Sequence, residues 1–404
     1  MRARIGEFRV LRKGNIVNIL RCALPVLVIA AATIAQPQYS VVVLEPNDAR
    51  YVLEGVAIND SGQVAGYRTL DSNPSAMFFW DGQMIHDLPL GFYGGLVNDL
   101  NNDAWIVGTS RGVSDSQSGF RWREGAGFDH PADGDCGRQG SSAYSTNNVG
   151  QIVGSTDREQ PDSTCKRVGY LWQNGQSTIL APFHSVIPHP RRLNDLGHEA
   201  GLFVDSDNQV RYFFLNDQGY VEIEVPANYR YFTMNALNDL DEVVGSVFDG
   251  KRVLPYRWSP SAGFEILPTP AEAQRTYVGG SNDNGDIVGW IDSYAAIWIQ
   301  DQYYDLNDLI QAGSGLDTLI RATGINEHGQ ICGTGSIDGQ NWTFILTPVC
   351  TADFNDDGIV NTLDFIAFLN AYNEDDPRAD INGDGIVNTL DFIAFLNAYN
   401  GGCG

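Results

Sequence analysis

Two stretches near the carboxy terminus set oxygen-bearing side chains at fixed steps. Asp353, Asn355, Asp357, Asn361 and Asp364 stand at positions 1, 3, 5, 9 and 12 of a loop, with the Ile359 carbonyl at position 7. The pattern returns 27 residues later in Asp380, Asn382, Asp384, the Ile386 carbonyl, Asn388 and Asp391. Glycine holds the sixth position of both, at Gly358 and Gly385, where the chain must turn sharply. Calcium takes about six to eight oxygens at loose geometry, and this spacing wraps such a set around one ion. Two loops imply two calcium ions. A single Asp-x-Asn-x-Asp-Gly arises by chance. Two complete copies, running into segments 357–373 and 384–400 that are identical throughout, do not. A solvated acidic tail is the competing explanation, and the apolar segments after each loop argue against it.

Each loop runs into one predicted helix, 362–372 and 389–399, with no entering helix of the usual kind. Phe365, Phe368, Leu369 and Tyr372 fall at helical spacing and are expected to pack on Phe392, Phe395, Leu396 and Tyr399. Position 12 is Asp in both copies, where a regulatory EF-hand has Glu. These features over residues 350–404 resemble a type I dockerin, in its bacterial GC-type variant with Cys near the start and Gly-Cys at the end. The resemblance implies a small all-α module at 349–404 that needs calcium to fold. It implies binding of a cohesin domain through Thr362-Leu363 and Thr389-Leu390, in either of two orientations because the copies are identical. It also implies a disulfide clamp between Cys350 and Cys403. The short linker and the clamping cysteines depart from cellulosomal dockerins, so another surface anchor or a sorting system is the alternative partner.

Upstream, one short pattern recurs seven times: Asn, two residues, usually Gly, a few apolar residues, then Gly. Its anchors are Asn59, Asn101, Asn147, Asn194, Asn238, Asn282 and Asn326, spaced 42 to 47 apart. The closing glycines run from Gly66 to Gly333; Ala104 and Asp241 replace the middle glycine in two units. Each unit reads as four short strands, with Asn-Asp-x-Gly and Asp-Gly as hairpin turns. An aromatic third strand recurs, as in Phe120-Arg121-Trp122 and Tyr256-Arg257-Trp258. Seven four-stranded units of about 44 residues predict a seven-bladed β-propeller over 36–348. The seventh unit lacks a fourth strand, and the orphan strand 39–44 is expected to supply it and latch the ring. An open β-solenoid is the rival architecture. The units resemble the HAF extracellular repeat family over residues 50–347, with Ala76-Met77-Phe78 nearest to its His-Ala-Phe. That resemblance implies the repeat and no particular ligand.

The repeated Asn and Gly read as structural, the asparagine satisfying its own turn. The turn-face loops are uniformly tight. Loops on the other face are long and variable, so that face is the candidate site for a glycan or protein ligand. They hold Phe92, Tyr93, His184, His189, Tyr229, Tyr231 and Tyr277, which suit stacking on sugars or ordinary loop packing. Cys136 precedes blade three and Cys165 lies in its second-to-third loop, so a disulfide is expected between them in an oxidising compartment. Cys332 sits where other units have Ala or Val and is expected to be a buried free thiol.

The first 35 residues order a basic stretch, a 13-residue apolar run and small residues, which reads as a cleavable secretory signal, with an uncleaved anchor as the alternative. No other segment is apolar and long enough to span a bilayer. The chain of 404 residues has a net charge of −25, which argues against nucleic acid or an anionic membrane as partner. No pair of carboxylates at catalytic spacing, no Gly-x-Ser-x-Gly and no metalloprotease motif stands out, so no catalytic residue is assigned. The favoured reading is a secreted, non-catalytic propeller at the cell surface or in the medium, assembled through calcium loops. A glycan-degrading hydrolase or lyase within a polysaccharide-catabolic complex is the alternative.

Overall fold

The computed structural model describes residues 38–45, 52–70, 73–89, 95–111, 117–136, 140–310, 315–355, 359–382 and 385–401. The segment read as a signal, residues 1–35, lies outside the described residues. Seven four-stranded antiparallel sheets follow one another as the blades of a propeller. Their innermost strands are Val52–Ile58, Gly95–Leu100, Ser141–Thr146, His189–Leu193, Ala236–Leu237, Thr276–Ser281 and Thr318–Ile325. In the seventh sheet, Tyr39–Leu44 is the outermost strand and pairs with Gln340–Pro348.

Closure is direct, which excludes the open solenoid. Thr323 Oγ1 donates to the Gly55 carbonyl at 2.8 Å and Thr343 Oγ1 to the Leu53 carbonyl at 2.7 Å, joining blade seven to blade one. The cores lie between neighbouring blades. Phe79, Leu100 and Trp122 pack blade one on blade two, and Phe214, Leu237 and Trp258 pack blade four on blade five. The fully buried third-strand rings Phe78, Phe120, Tyr170 and Tyr256 belong to such clusters. Burial of this much aromatic surface is the main favourable term in blade packing.

The anchor asparagines do more than satisfy their own turns. In each, Oδ1 accepts from the backbone amide four residues on, as at Asn147 from Gln151 (2.8 Å). Each Nδ2 then donates to the main-chain carbonyl of the next anchor: Asn59 to Asn101, Asn101 to Asn147, Asn147 to Asn194, and onward through Asn238 and Asn282. Asn326 completes the circuit by donating to the Asn59 carbonyl at 2.8 Å. A second ring runs beside it. The amides of Asp60, Asn102, Asn148, Asp195, Asp239, Asp283 and Glu327 each donate to the side chain of the following member, and Glu327 donates back to Asp60.

Every inner strand carries a bulge three residues before its anchor where the register is resolved: Val56, Asn98, Tyr144, Arg191, Gly279 and Thr323. A bulge re-aims the backbone beside it. This explains the closing glycines. A Cβ on Gly66, Gly154 or Gly289 would collide with the carbonyl of Glu54, Ser142 or Tyr277. Blade six has Ala296 in place of the aromatic ring and keeps its glycine, so the carbonyl is the cause. The middle turn position adopts positive φ in all units, including Ala104 (59°) and Asp241 (60°). Asp241 turns the departure to use by accepting from Asn194 Nδ2 at 3.2 Å and pairing with His198 Nδ1 at 2.6 Å.

The cysteines follow the sequence-based expectation in their pairing and differ in one placement. Cys165 opens the third strand of blade three (Cys165–Gln173), because that hairpin extends further and leaves a loop of only 160–164. It is bonded to Cys136, with Cα atoms 5.8 Å apart. Cys332 is buried and free. Its thiol is pushed up to about 12 by burial.

One blade breaks the core pattern. Val64, Ile106, Ile152, Val243, Ile287 and Ile331 open the second strands and are buried; Glu199 holds that position in blade four. Its Oε2 has no hydrogen-bond partner among the described residues, and burial pushes the carboxyl up to about 7. A carboxyl with its folded pKa above the unfolded value binds the proton more tightly when folded. Its stabilising preference is therefore present at low pH and lost as pH rises from about 4.5 to 7. Glu199→Val is expected to add about 2–3 kcal/mol at neutral pH and to flatten this pH dependence, measured by urea unfolding across that range. In the asparagine ring, Asn147→Asp keeps the acceptor and removes the donor. It is expected to cost at least about 2 kcal/mol in the same assay, and an unchanged midpoint would deny the ring a structural role.

Candidate functional site

Among the described residues, the aspartates at position 12 make the same two contacts in both carboxy-terminal loops. Asp364 lies at the third position of helix α1 (Thr362–Asn373) and is fully buried. Its Oδ2 accepts from the Asn361 amide at 2.7 Å and its Oδ1 from the Asn355 amide at 3.1 Å. Asp391, in α2 (Thr389–Gly401), accepts from Asn388 at 2.8 Å and Asn382 at 3.1 Å. One carboxylate thus latches the start of each loop to the start of its helix. Asn361 caps α1 by accepting from the Leu363 amide at 2.7 Å. The cap and an anionic third position satisfy orphan amides and suit the helix dipole.

The second loop's backbone has the turn that the spacing demands. Gly385 sits at φ +83° and donates to Asp380 Oδ2 at 2.7 Å. Asn361 Nδ2 reaches the Ile359 carbonyl at 3.0 Å and Asn388 Nδ2 the Ile386 carbonyl at 2.9 Å, drawing positions 7 and 9 together. Asp357, Gly358 and Asp384 lie outside the described residues. The donor groups are all oxygens, two of them on buried aspartates anchored by amides, and such a set fits a hard cation of calcium's size.

The helices pack through Phe368 and Phe395, whose rings stack with centroids 4.0 Å apart and planes 7° from parallel. Phe365, Tyr372, Phe392 and Tyr399 surround them, with Phe354, Ala371 and Ala379 added from outside the predicted set. Leu369 and Leu396 are half-buried and stand outside this cluster, because the stacked rings fill the seam. Thr362, Leu363, Thr389 and Leu390 are exposed on the first turns. Ile366 and Ile393, which sequence reasoning did not single out, continue the patch one turn on, each about half exposed. Their three-residue offset from Leu363 and Leu390 was the available signal. Cys350 is disulfide-bonded, and Cys403 lies outside the described residues.

Residues 351–399 match the family of the dockerin type I domain. Dockerins bind calcium in general, and type I dockerins generally bind cohesin domains. No curated protein matches the sequence. Among solved structures, a catalytically inactive virginiamycin B lyase variant from Staphylococcus aureus, described with quinupristin, aligns at 13% identity and TM-score 0.43, covering 77% of this chain and 100% of that one. The β-propeller domain of the trilobed protease from Pyrococcus furiosus aligns at 12% identity and TM-score 0.48, covering 64% and 84%. A puromycin hydrolase aligns at 11% identity and TM-score 0.49, covering 74% and 52%. No activity follows from likenesses of this size.

The propeller offers a second site that no sequence motif announced. A cavity of about 520 Å3 follows its axis and is lined by residues of all seven inner strands, including Glu54, Asp99, Arg192, Ser281 and Arg321, with Asn235 just before the strand of blade five. Apart from that lining, Arg191 of blade four lies 4.2 Å from the centroid of the Tyr144 ring of blade three. Burial alone would raise the Tyr144 phenol, but Arg191, the Ser155 hydroxyl and Arg167 outweigh it and lower it to about 8. His189 opens the same strand of blade four, and burial with Arg191 and Arg167 lowers its imidazole to about 4. The other loop residues singled out from sequence scatter. Tyr277 stacks on Trp290, Tyr229 packs on Phe264, and Tyr231 and His184 are exposed; Phe92 and Tyr93 lie outside the described residues.

Asp81, His86 and Glu124 form the one metal-capable trio among the described residues. His86 meets Asp81 through Nε2 (2.7 Å) and Glu124 through Nδ1 (3.0 Å), so its ring bridges two carboxylates of neighbouring blades. That is an inter-blade clip. For the dockerin, Asp364→Asn is expected to weaken calcium uptake at least tenfold at one site, read by calorimetry on the full chain. Unchanged affinity at every site would exclude Asp364 as a ligand.

Proposed function

We propose that this chain is a secreted propeller that recognises a ligand without turning it over and is assembled onto a partner by its calcium-loaded dockerin. The observation that carries the reading is the pair of latched loops, each followed by an exposed Thr-Leu pair and an isoleucine on one helix face. Two calcium ions are assigned to the loops, one to Asp353, Asn355, Asp357, the Ile359 carbonyl, Asn361 and Asp364. The other goes to Asp380, Asn382, Asp384, the Ile386 carbonyl, Asn388 and Asp391. Ten acidic residues among the last 55 repel one another without the metal, so ion binding and folding of this module are coupled. A cohesin is the first partner to test, docking on Thr362 and Leu363 or equally on Thr389 and Leu390, with another surface anchor second. Cys350 with Cys403 makes the GC-type clamp, and the Asn-x-x-Gly turns support an HAF-type repeat. The basic, apolar and small segments of residues 1–35 support export.

The test is capture of immobilised cohesin domains by the full chain, in excess calcium and in EDTA. Binding is expected in calcium and is lost in EDTA. Leu363→Asp or Leu390→Asp alone leaves one docking face and costs about twofold, whereas the double variant abolishes capture. Capture that ignores EDTA, or that survives the double variant, overturns the docking surface. Turnover of a polysaccharide panel by the wild-type chain overturns the non-catalytic reading.

A further inference from the structure

We propose that Asp81, His86 and Glu124 form a binding site for one divalent metal of the zinc class, which ties blade one to blade two. None of the three lines the axial cavity or belongs to the calcium loops, so the site stands whatever the propeller binds.

The geometry comes from two hairpins. Asp81 and His86 flank the third-to-fourth turn of blade one, and Glu124 stands in the same turn of blade two. Asp81 is set in place by its own turn: its Oδ1 accepts from the amides of Gln83 and Met84, each at 2.8 Å, which leaves Oδ2 for His86. His86 turns Nε2 to Asp81 (2.7 Å) and Nδ1 to Glu124 (3.0 Å). One ligand atom from each residue falls within 4.8 Å of the other two. Nitrogen and oxygen ligands lie about 2.0–2.2 Å from a zinc ion, and so about 3–4 Å from one another. The half-exposed Glu124 side chain has room to close the remaining gap. The metal takes one imidazole nitrogen and an oxygen from each carboxylate, with water completing the shell. A nitrogen donor beside two carboxylates favours a zinc-class ion over calcium or magnesium.

The charges of the cluster call for a cation. A neutral imidazole carries one N–H and one lone pair. It satisfies one of these carboxylates and turns its lone pair on the other. Among the described residues neither carboxylate is paired with a lysine or arginine; Arg123, beside Glu124 in the chain, lies over the Trp105 ring. The matching seam between blades five and six shows what is missing. There Arg257 is in register with Glu265 as Phe79 is with His86, and it meets Glu242, Glu265 and Asp301 at 3.4, 3.1 and 2.8 Å. An arginine brings a permanent charge to its carboxylates, whereas an imidazole gains one only with a second proton. A divalent ion supplies two charges to the two carboxylates and uses the ring's lone pair as well.

Calorimetry of the full chain with zinc chloride tests the proposal, in excess calcium so that the carboxy-terminal loops are filled. Uptake of one zinc per chain is expected, with a rise in melting temperature, and none of magnesium. Loss of a ligand costs at least as much as loss of an outer partner, so His86→Gln and Glu124→Gln are each expected to weaken uptake by about tenfold or more. Glu124 is exposed, so its variant reports on the metal even where His86→Gln fails to fold. His198→Gln, which removes a histidine paired with the single carboxylate of Asp241, should leave uptake unchanged. No zinc uptake, equal uptake of magnesium, uptake unaffected by Glu124→Gln or by a folded His86→Gln, or uptake abolished by His198→Gln overturns the proposal.

Discussion

The propeller depends on one repeated contact, the asparagine amide that donates to the next blade's asparagine carbonyl. Each side chain closes its own turn with its oxygen and reaches across the seam with its nitrogen. Asn is suited to this because a single short side chain carries an acceptor and a donor at opposite sides of one plane. Seven such links form a closed circle, so no blade can shift without stretching two of them. Buried and desolvated, each link would leave a costly unpaired group if broken. The apolar seams supply most of the packing energy, but they are non-directional. The circle fixes how far each blade is rotated from the last, and with it the number seven.

Fixing the turn face in this way leaves the other face free to vary. The second ring places carboxylates of Asp60, Asp195, Asp239, Asp283 and Glu327 around the axis. Burial, together with the carboxylates of Asp283, Asp60 and Asp239, pushes Glu327 up to about 7. That face is therefore anionic and uniform. Arg191 and Tyr144, in contrast, stand on bulges, where the backbone departs from the ladder and a side chain can be exchanged at little cost to pairing. The scaffold's constraint and its variability are thus divided between the two ends of the same strands.

The repeat was legible because its cause is local and periodic. Turn residues, closing glycines and aromatic third strands recur at a spacing that a sequence displays directly. The calcium loops were legible for the same reason, since their ligands come from one short contiguous run. Less of the cluster between blades three and four could be read. Tyr144, Arg167 and Arg191 come from three strands in two blades, and nothing in their spacing joins them. Leu369 and Leu396 were misplaced in the small core because helical periodicity names a face and cannot say which residues fill the seam once two phenylalanines stack. Glu199 passed unnoticed among the repeats because its oddity lies in burial, which a sequence states only by analogy with Val64 or Ile287.

Sequence by itself determined the blade count, the four-stranded units, and the two oxygen-rich loops with their helices. Each follows from interactions between residues a few positions apart. Tertiary structure alone decided that the anchor asparagines speak to the next blade, that the glycines yield to a neighbouring strand's carbonyl, and that Glu199 is shut inside blade four. These facts depend on which groups meet across distances of forty residues or more, and on which are shut away from water. Only a closed ring sets those meetings.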